Sequence, residues 1–191
     1  MPPKVRITKE DIVNTALQLL QKKGAQAINA RSIAAALGCS TQPVFSNFAT
    51  MEELQNAVTV AAYERYLEFL QNEAQEDKYP KYKAFGMAYI RFAKEEKELF
   101  KLLFMCDRVG KEIEPGVDFE ASVAMIMQAN GVSEETARLM HLEMWTCVHG
   151  IGTMLATSFL ELDWELISNM ITDIYQGIRA RHKGGQVNGC N

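Results

Sequence analysis

Several kinds of signal are missing from this 191-residue chain, and each absence removes a class of function. No apolar run reaches the ~18 residues that a membrane helix needs. The opening MPPKVRITKED has no apolar core of the kind a secretion signal carries. These features predict a cytoplasmic protein with no membrane partner. The four cysteines, at positions 39, 106, 147 and 190, are spaced too widely and irregularly for a zinc motif or a small disulfide framework. They read as free, mostly buried thiols. Histidine is scarce: only His141, His149 and His182 occur. His141 and His149 stand two helical turns apart, roughly 12 Å by rise, too far to share one metal with Zn–N bonds of ~2 Å. No phosphate loop, nucleophile elbow or HExxH pattern occurs. The expectation is no enzyme, no metal and no cofactor.

Positive charge is also in short supply. The net charge is −4, which argues against a chain that coats nucleic acid over its whole surface. The distribution is uneven, however. Residues 1–53 hold six basic and four acidic groups, and the remainder holds fourteen basic and twenty acidic, so the two parts carry +2 and −6. DNA binding needs positive charge near the phosphates, not a basic protein throughout.

What is present is helical. Strand-like alternation, internal repeats and low-complexity linkers are absent, so the fold class is all-α, with about nine helices. Thr8 and Asp11 stand in a capping-box relation ahead of Ile12, Val13, Ala16, Leu17, Leu19 and Leu20, and Gly24 ends this first helix. A short helix at about 31–37 stops at Gly38. Ser40 is placed to cap a third at about 41–47, with Pro43 in its first turn, where missing donors cost little. Thr50 and Glu53 form a second capping box, opening helix four at about 51–76. Pro80 suits the first position of helix five, and ELFKLLFM makes a short apolar sixth helix. DRVGKEIEPG reads as a loop. Helix seven spans about 117–130. Gly131 stops it and Ser133 caps helix eight, expected at about 134–160. Asp163 caps helix nine, which ends near Arg181, and residues 183–191 read as a disordered tail. The domains expected are 1–54, joined by helix four, and 77–182.

The segment ARSIAAALGCSTQPVFSNF carries the functional signal. Ala34 is small where two helices cross. Gly38 falls where the turn between them needs a left-handed backbone. Val44 is apolar where the second helix packs back on the first. This is the pattern of a helix-turn-helix, whose second helix enters the major groove with its N-terminal residues at the base edges. Those residues are Thr41 and Gln42, with Ser46 and Asn47 further along. Gln and Asn bond bidentately to adenine, and Thr bonds or touches a thymine methyl. The full DNA-contact set expected is Arg31, Ser32, Ser40, Thr41, Gln42, Val44, Phe45, Ser46, Asn47 and Met51.

The spacing Ala34, Gly38, Cys39, Ser40, Val44, Phe45, Asn47, Phe48, then Met51 and Leu54, resembles the tetracycline-repressor (TetR) family over residues 8–54. Phe45 replaces the family's usual Tyr and Met51 its usual Lys. The resemblance implies that two phosphate contacts are missing and that Lys4, Arg6 and Arg31 carry more of that work. Trp145, His149 and Gly150 in WTCVHG resemble the WHG-type C-terminal domain found in part of the family. Together these imply a C-terminal domain that binds an effector and forms a homodimer through helices eight and nine.

The C-terminal residues allow that reading on their own terms. Helices eight and nine are apolar on most sides and must be buried, either within the monomer or in a two-fold interface. Ile151, Leu155, Ile167, Met170, Ile171 and Ile174 are the interface candidates. A dimer would set two recognition helices one DNA turn apart, ~34–36 Å. Phe85, Tyr89, Phe92, Phe104, Met125, Met144, Trp145 and His149 are the candidates to line an apolar effector pocket, although each taken singly reads more readily as core. His149 reads as a hydrogen-bonded interior histidine, or as a ligand contact or pH switch. The expected function is a repressor released from double-stranded operator DNA by an unknown small, largely apolar effector. The alternative is a DNA-associated structural or partner-binding factor with the same fold.

Overall fold

The computed structural model describes residues 7–74, 78–106 and 118–184. All secondary structure among them is helical: α1 Lys9–Lys23, a 3-10 turn Ala25–Ala27, α2 Ala30–Ala36, α3 Gln42–Asn47, α4 Met51–Ala74, α5 Lys81–Glu95, α6 Lys97–Phe104, α7 Asp118–Asn130, α8 Glu134–Ala156 and α9 Trp164–Gly184. The chain is all-α, as expected. Lys4, Arg6, the whole 107–117 segment, Cys190 and most of the expected tail lie outside the described residues.

Two compact units divide the chain. The first comprises residues 1–69 and 96–106, the second residues 70–95 and 107–191. Helix α6 therefore groups with the first unit, although its neighbours in sequence belong to the second. Its apolar face explains this: Leu99, Phe100 and Leu103 are buried, α6 packs against α1, and Phe104 meets Tyr66 edge-on at 5.1 Å.

In the first unit, α1 buries Ile12, Ala16, Leu17 and Leu20, one stripe at helical spacing. Its capping box is complete, with the Thr8 hydroxyl accepting from the Asp11 N–H and the Asp11 carboxylate accepting from the Thr8 N–H. The Thr8 N–H and the Thr8 hydroxyl both donate to the Asp11 carboxylate at 2.8 Å and hold it below its ordinary value, the backbone bond contributing most. Gly24 closes α1 at φ +80, its N–H bonded to the Leu20 carbonyl at 2.7 Å.

In the second unit, α8 lies among α5, α7 and α9. It buries Ala137, Met140, Met144, Val148, Ile151 and Leu155 at spacings of three and four. Two tyrosines of α5 reach two histidines of α8: Tyr82 to Nδ1 of His141 at 2.9 Å and Tyr89 to Nδ1 of His149 at 2.8 Å. Both numbers of each pair rise together, so α5 and α8 run parallel. Lys83 donates to the hydroxyls of Ser168 and Thr172 on α9, at 2.7 and 2.8 Å.

Several expected boundaries move. Helix α8 ends at Ala156, not near 160. Ser158 adopts φ 56, its N–H bonds Leu155 and the Phe159 N–H bonds Met154, the paired closure of a Schellman motif formed without glycine. Ser133 and Asp163 cap as expected, accepting from Thr136 and Leu166. Pro80 stands one place before its expected position, its carbonyl accepting the Ala84 N–H. Helix α9 continues past Arg181 to Gly184.

Candidate nucleic-acid interface

The helix-turn-helix segment is assembled by local bonds. Asn29 caps α2, accepting from the Ser32 N–H at 2.9 Å. After Leu37 the chain turns at Gly38, φ +67. The Gly38 N–H bonds Ala35 at 3.2 Å and the Cys39 N–H bonds Ala34 at 3.0 Å, again a Schellman closure. Glycine is needed there because a left-handed conformation costs other residues roughly 1–2 kcal/mol. The chain then enters α3 at Thr41, whose carbonyl accepts from Val44 and Phe45. Thr41 already has right-handed helical angles, and no side chain caps the helix. Ser40 therefore does not act as the cap expected of it, because the helical turn starts one residue later. Helices α2 and α3 pack together, and both rest on α1.

Helix α4 is tied to the same unit at its start. Thr50 accepts the Glu53 N–H at 3.1 Å, as the capping box requires. The Glu53 carboxylate, however, takes the N–H of Ala49 at 2.7 Å, one residue earlier than a capping box would have it. Its other oxygen holds Lys9 of α1 at 3.2 Å, and the Lys9 ammonium lies 5.0 Å from the centre of the Phe48 ring. The Ala49 bond first, then Lys9, lowers the Glu53 carboxyl below its ordinary value. Lys9 is thus engaged within the protein. Beside this pair, a surface cleft of about 470 Å³ lies between α1 and α4, with Val13, Phe48 and Ala57 in its walls and Glu10 and Glu64 among its charges.

The expected DNA-contact residues divide into three groups by their surroundings. Val44 is 1 % exposed and serves as the α3 core residue; it has no surface to offer a base. Ser46 and Asn47 are partly committed. The Ser46 hydroxyl donates to the Gln42 carbonyl at 2.9 Å. The Asn47 amide donates to the Pro43 carbonyl at 2.8 Å and to Ile7 at 3.4 Å, which braces the start of the described chain against α3. Arg31, Ser40, Gln42 and Phe45 are exposed, while Ser32, Thr41 and Met51 are half-buried. Phe45 is 53 % exposed, unusual for an aromatic ring on a short helix.

The second unit separates the candidates for an effector pocket in a similar way. Phe92 is 1 % exposed, and Tyr89 and Met144 are also buried. Phe85, Met125 and His149 are half-buried. Phe104 belongs to the first unit, against Tyr66 and Phe100. Trp145 is 46 % exposed and stacks on His149 with ring centres 5.1 Å apart. His141 lies against Tyr82 and, edge-on, Phe119; burial holds its imidazole below the ordinary value and holds the Tyr82 hydroxyl above its own. Of the interface candidates, Ile151, Leu155, Ile167 and Ile171 are buried inside their own unit, and Met170 and Ile174 are half-buried. The exposed large apolar residues of α8, α9 and the turn between them are different ones: Leu139, Leu142, Trp145, Met154, Phe159, Leu160 and Leu166. Periodicity alone did not separate these from their inward-facing neighbours.

Among the described residues no group of three or more His, Cys, Asp or Glu is placed to hold a metal, and no helix is long and apolar enough to cross a membrane.

Residues 82–172 match the tetracyclin repressor-like C-terminal domain family. No curated protein matches the chain. Solved structures do. A protein of unknown function from Rhodococcus sp. RHA1 has a TM-score of 0.66 at 18% identity, covering 95% of this chain and 97% of that one. A TetR-like transcriptional regulator from the same organism gives 0.58 at 13% identity, with 97% and 99% covered. The multidrug binding protein EbrR, complexed with imidazole, gives 0.57 at 16% identity, with 87% and 88% covered. At such identities the structural likeness establishes the fold. Residues 82–172 are similar to the C-terminal domain of tetracyclin repressor-like proteins, and the fold of the chain is that of TetR-like proteins. WTCVHG lies inside the matched range.

Proposed function

We propose that the protein is a DNA-binding transcriptional regulator, a repressor that binds double-stranded operator DNA as a homodimer and leaves it when a small, largely apolar effector binds the second unit. The observation that carries the reading is the α2–Gly38–α3 unit. Its turn is closed by two backbone bonds, and α3 turns Gln42 and Phe45 to solvent. A helix presented in this way fits the major groove. Arg31, exposed on α2, supplies a phosphate contact.

The dimer uses the outer side of α8 and α9. Leu142 and Trp145 on α8, and Leu166, Met170 and Ile174 at intervals of four on α9, fall on helix faces that the monomer leaves open or half-open. Apolar surface of this kind marks an association site, and two-fold pairing is the commonest outcome. The effector site draws on the half-buried Phe85, Met125 and His149. EbrR, with the same fold, is described as a multidrug binding protein, and its structure holds imidazole. Release requires that the effector bind the DNA-free state more tightly than the DNA-bound state.

The test is a selection on random duplexes followed by titration of wild type and Gln42→Ala. Gln42→Ala should lose preference at one adenine position by roughly 1–3 kcal/mol. An unchanged preference refutes the assigned reader. Footprints scattered without regard to promoters would favour the DNA-associated structural factor instead.

A further inference from the structure

We infer that α3 reads its half-site by pairing a polar and an apolar reader, Gln42 for the adenine edge and Phe45 for the C5-methyl group of a thymine. This inference rests on the DNA-binding reading and makes its specificity definite.

The argument begins with what remains free on α3. The Val44 side chain is buried. The Ser46 hydroxyl hydrogen is given to Gln42's carbonyl, and both amide hydrogens of Asn47 point to carbonyls of the protein. Gln42 and Phe45 are the exposed α3 residues whose side chains have no such bond, three residues apart and so neighbours on the helix surface. The Gln42 amide has no partner among the described residues. It offers a donor and an acceptor side by side, the complement of adenine N7 and N6.

Phe45 has no hydroxyl or charge, so a phosphate gains nothing from it. Its ring is 53 % exposed, which leaves substantial apolar surface in water until something covers it. The floor of the major groove carries one apolar group, the thymine methyl, and an apolar side chain is its natural complement. Around Phe45 itself the charges are mixed: Lys9 pairs with Glu53 and lies over Phe48, and α4 opens with Glu52 and Glu53 in its first turn.

The experiment replaces each thymine of a selected duplex in turn by deoxyuridine, which deletes only the methyl. For wild type, one or two positions per half-site should weaken binding about fourfold each, the value of one buried methyl-sized group. Phe45→Ala should bind thymine and uracil duplexes equally while keeping the adenine preference supplied by Gln42. Because Phe45 is exposed, circular dichroism of the variant should match wild type. Wild type indifferent to every replacement, or Phe45→Ala retaining the penalty, overturns the assignment while leaving DNA binding intact. Failure of wild type to select any duplex overturns the DNA-binding reading itself.

Discussion

Substituting alanine at Gly38 and, separately, at Gly177 should move stability in opposite directions. In both places an added Cβ meets no heavy atom within 4 Å, so steric crowding by neighbours drops out of the comparison. What remains is the backbone. Gly38 stands at φ +67, where an L-residue is penalised by roughly 1–2 kcal/mol. Gly177 lies within α9, where glycine is less favourable than alanine by about 0.8–1.0 kcal/mol. For a chain of this size 1 kcal/mol shifts Tm by roughly 2–4 °C. Gly38→Ala should therefore lower Tm by about 2–8 °C and Gly177→Ala should raise it by about 2–4 °C. The two residues sit in different units and share no partner, so the double variant should approach the sum. Thermal and urea melts followed by circular dichroism measure all three. Shifts of the same sign in the two single variants would refute the reasoning, because it makes backbone conformation the only difference between the sites.

Two further outcomes follow from the second unit. Burial lowers the His141 pKa in the folded chain from its ordinary 6.5. The unfolded chain therefore binds the proton first as pH falls, and the stability associated with a neutral His141 is present above about 6.5 and lost progressively below it. Urea melts from pH 7.5 to 5 should show this loss, and His141→Gln should flatten it relative to wild type; an unaltered slope would mean that His141 does not contribute. Leu142→Glu combined with Leu166→Glu places charge on the exposed apolar face of α8 and α9, so sedimentation should show wild-type dimers and monomers of the variant with unchanged helicity. A variant that still dimerises would move the interface elsewhere.

How much of this was legible in the sequence depends on the range of the interaction. Thr8 with Asp11, Ser133, Asp163 and the Gly38 turn are bonds between residues a few positions apart, so a short pattern suffices to read them. Ser158 defeated the same logic, because a left-handed serine carries no sequence mark and only the bonds to Leu155 and Met154 reveal it. Partners distant in sequence were harder still. Ile151 and Trp145 are both apolar residues of α8, yet one is buried and the other nearly half exposed, a difference set by where α5, α7 and α9 pack. The association of α6 with α1 is likewise a property of packing, not of order along the chain. In the candidate interface, residue types and spacing pointed to α3, but the commitment of Asn47 to Pro43 and Ile7 emerged only from the three-dimensional bonds.

The two tyrosine–histidine bonds also limit how the second unit can move. They join parallel helices at positions 82 to 141 and 89 to 149, two turns apart. A slide of α8 by one turn, about 5.4 Å, would carry Trp145 toward Tyr82 and Thr153 toward Tyr89, and both bonds would be lost at once. Between them Gly86 faces Val148, where a Cβ would already be in contact at 3.5 Å. Helices α5 and α8 are therefore pinned in register. Motion passing through this seam must tilt or rotate the pair as a single lever, since it cannot proceed by one helix ratcheting past the other.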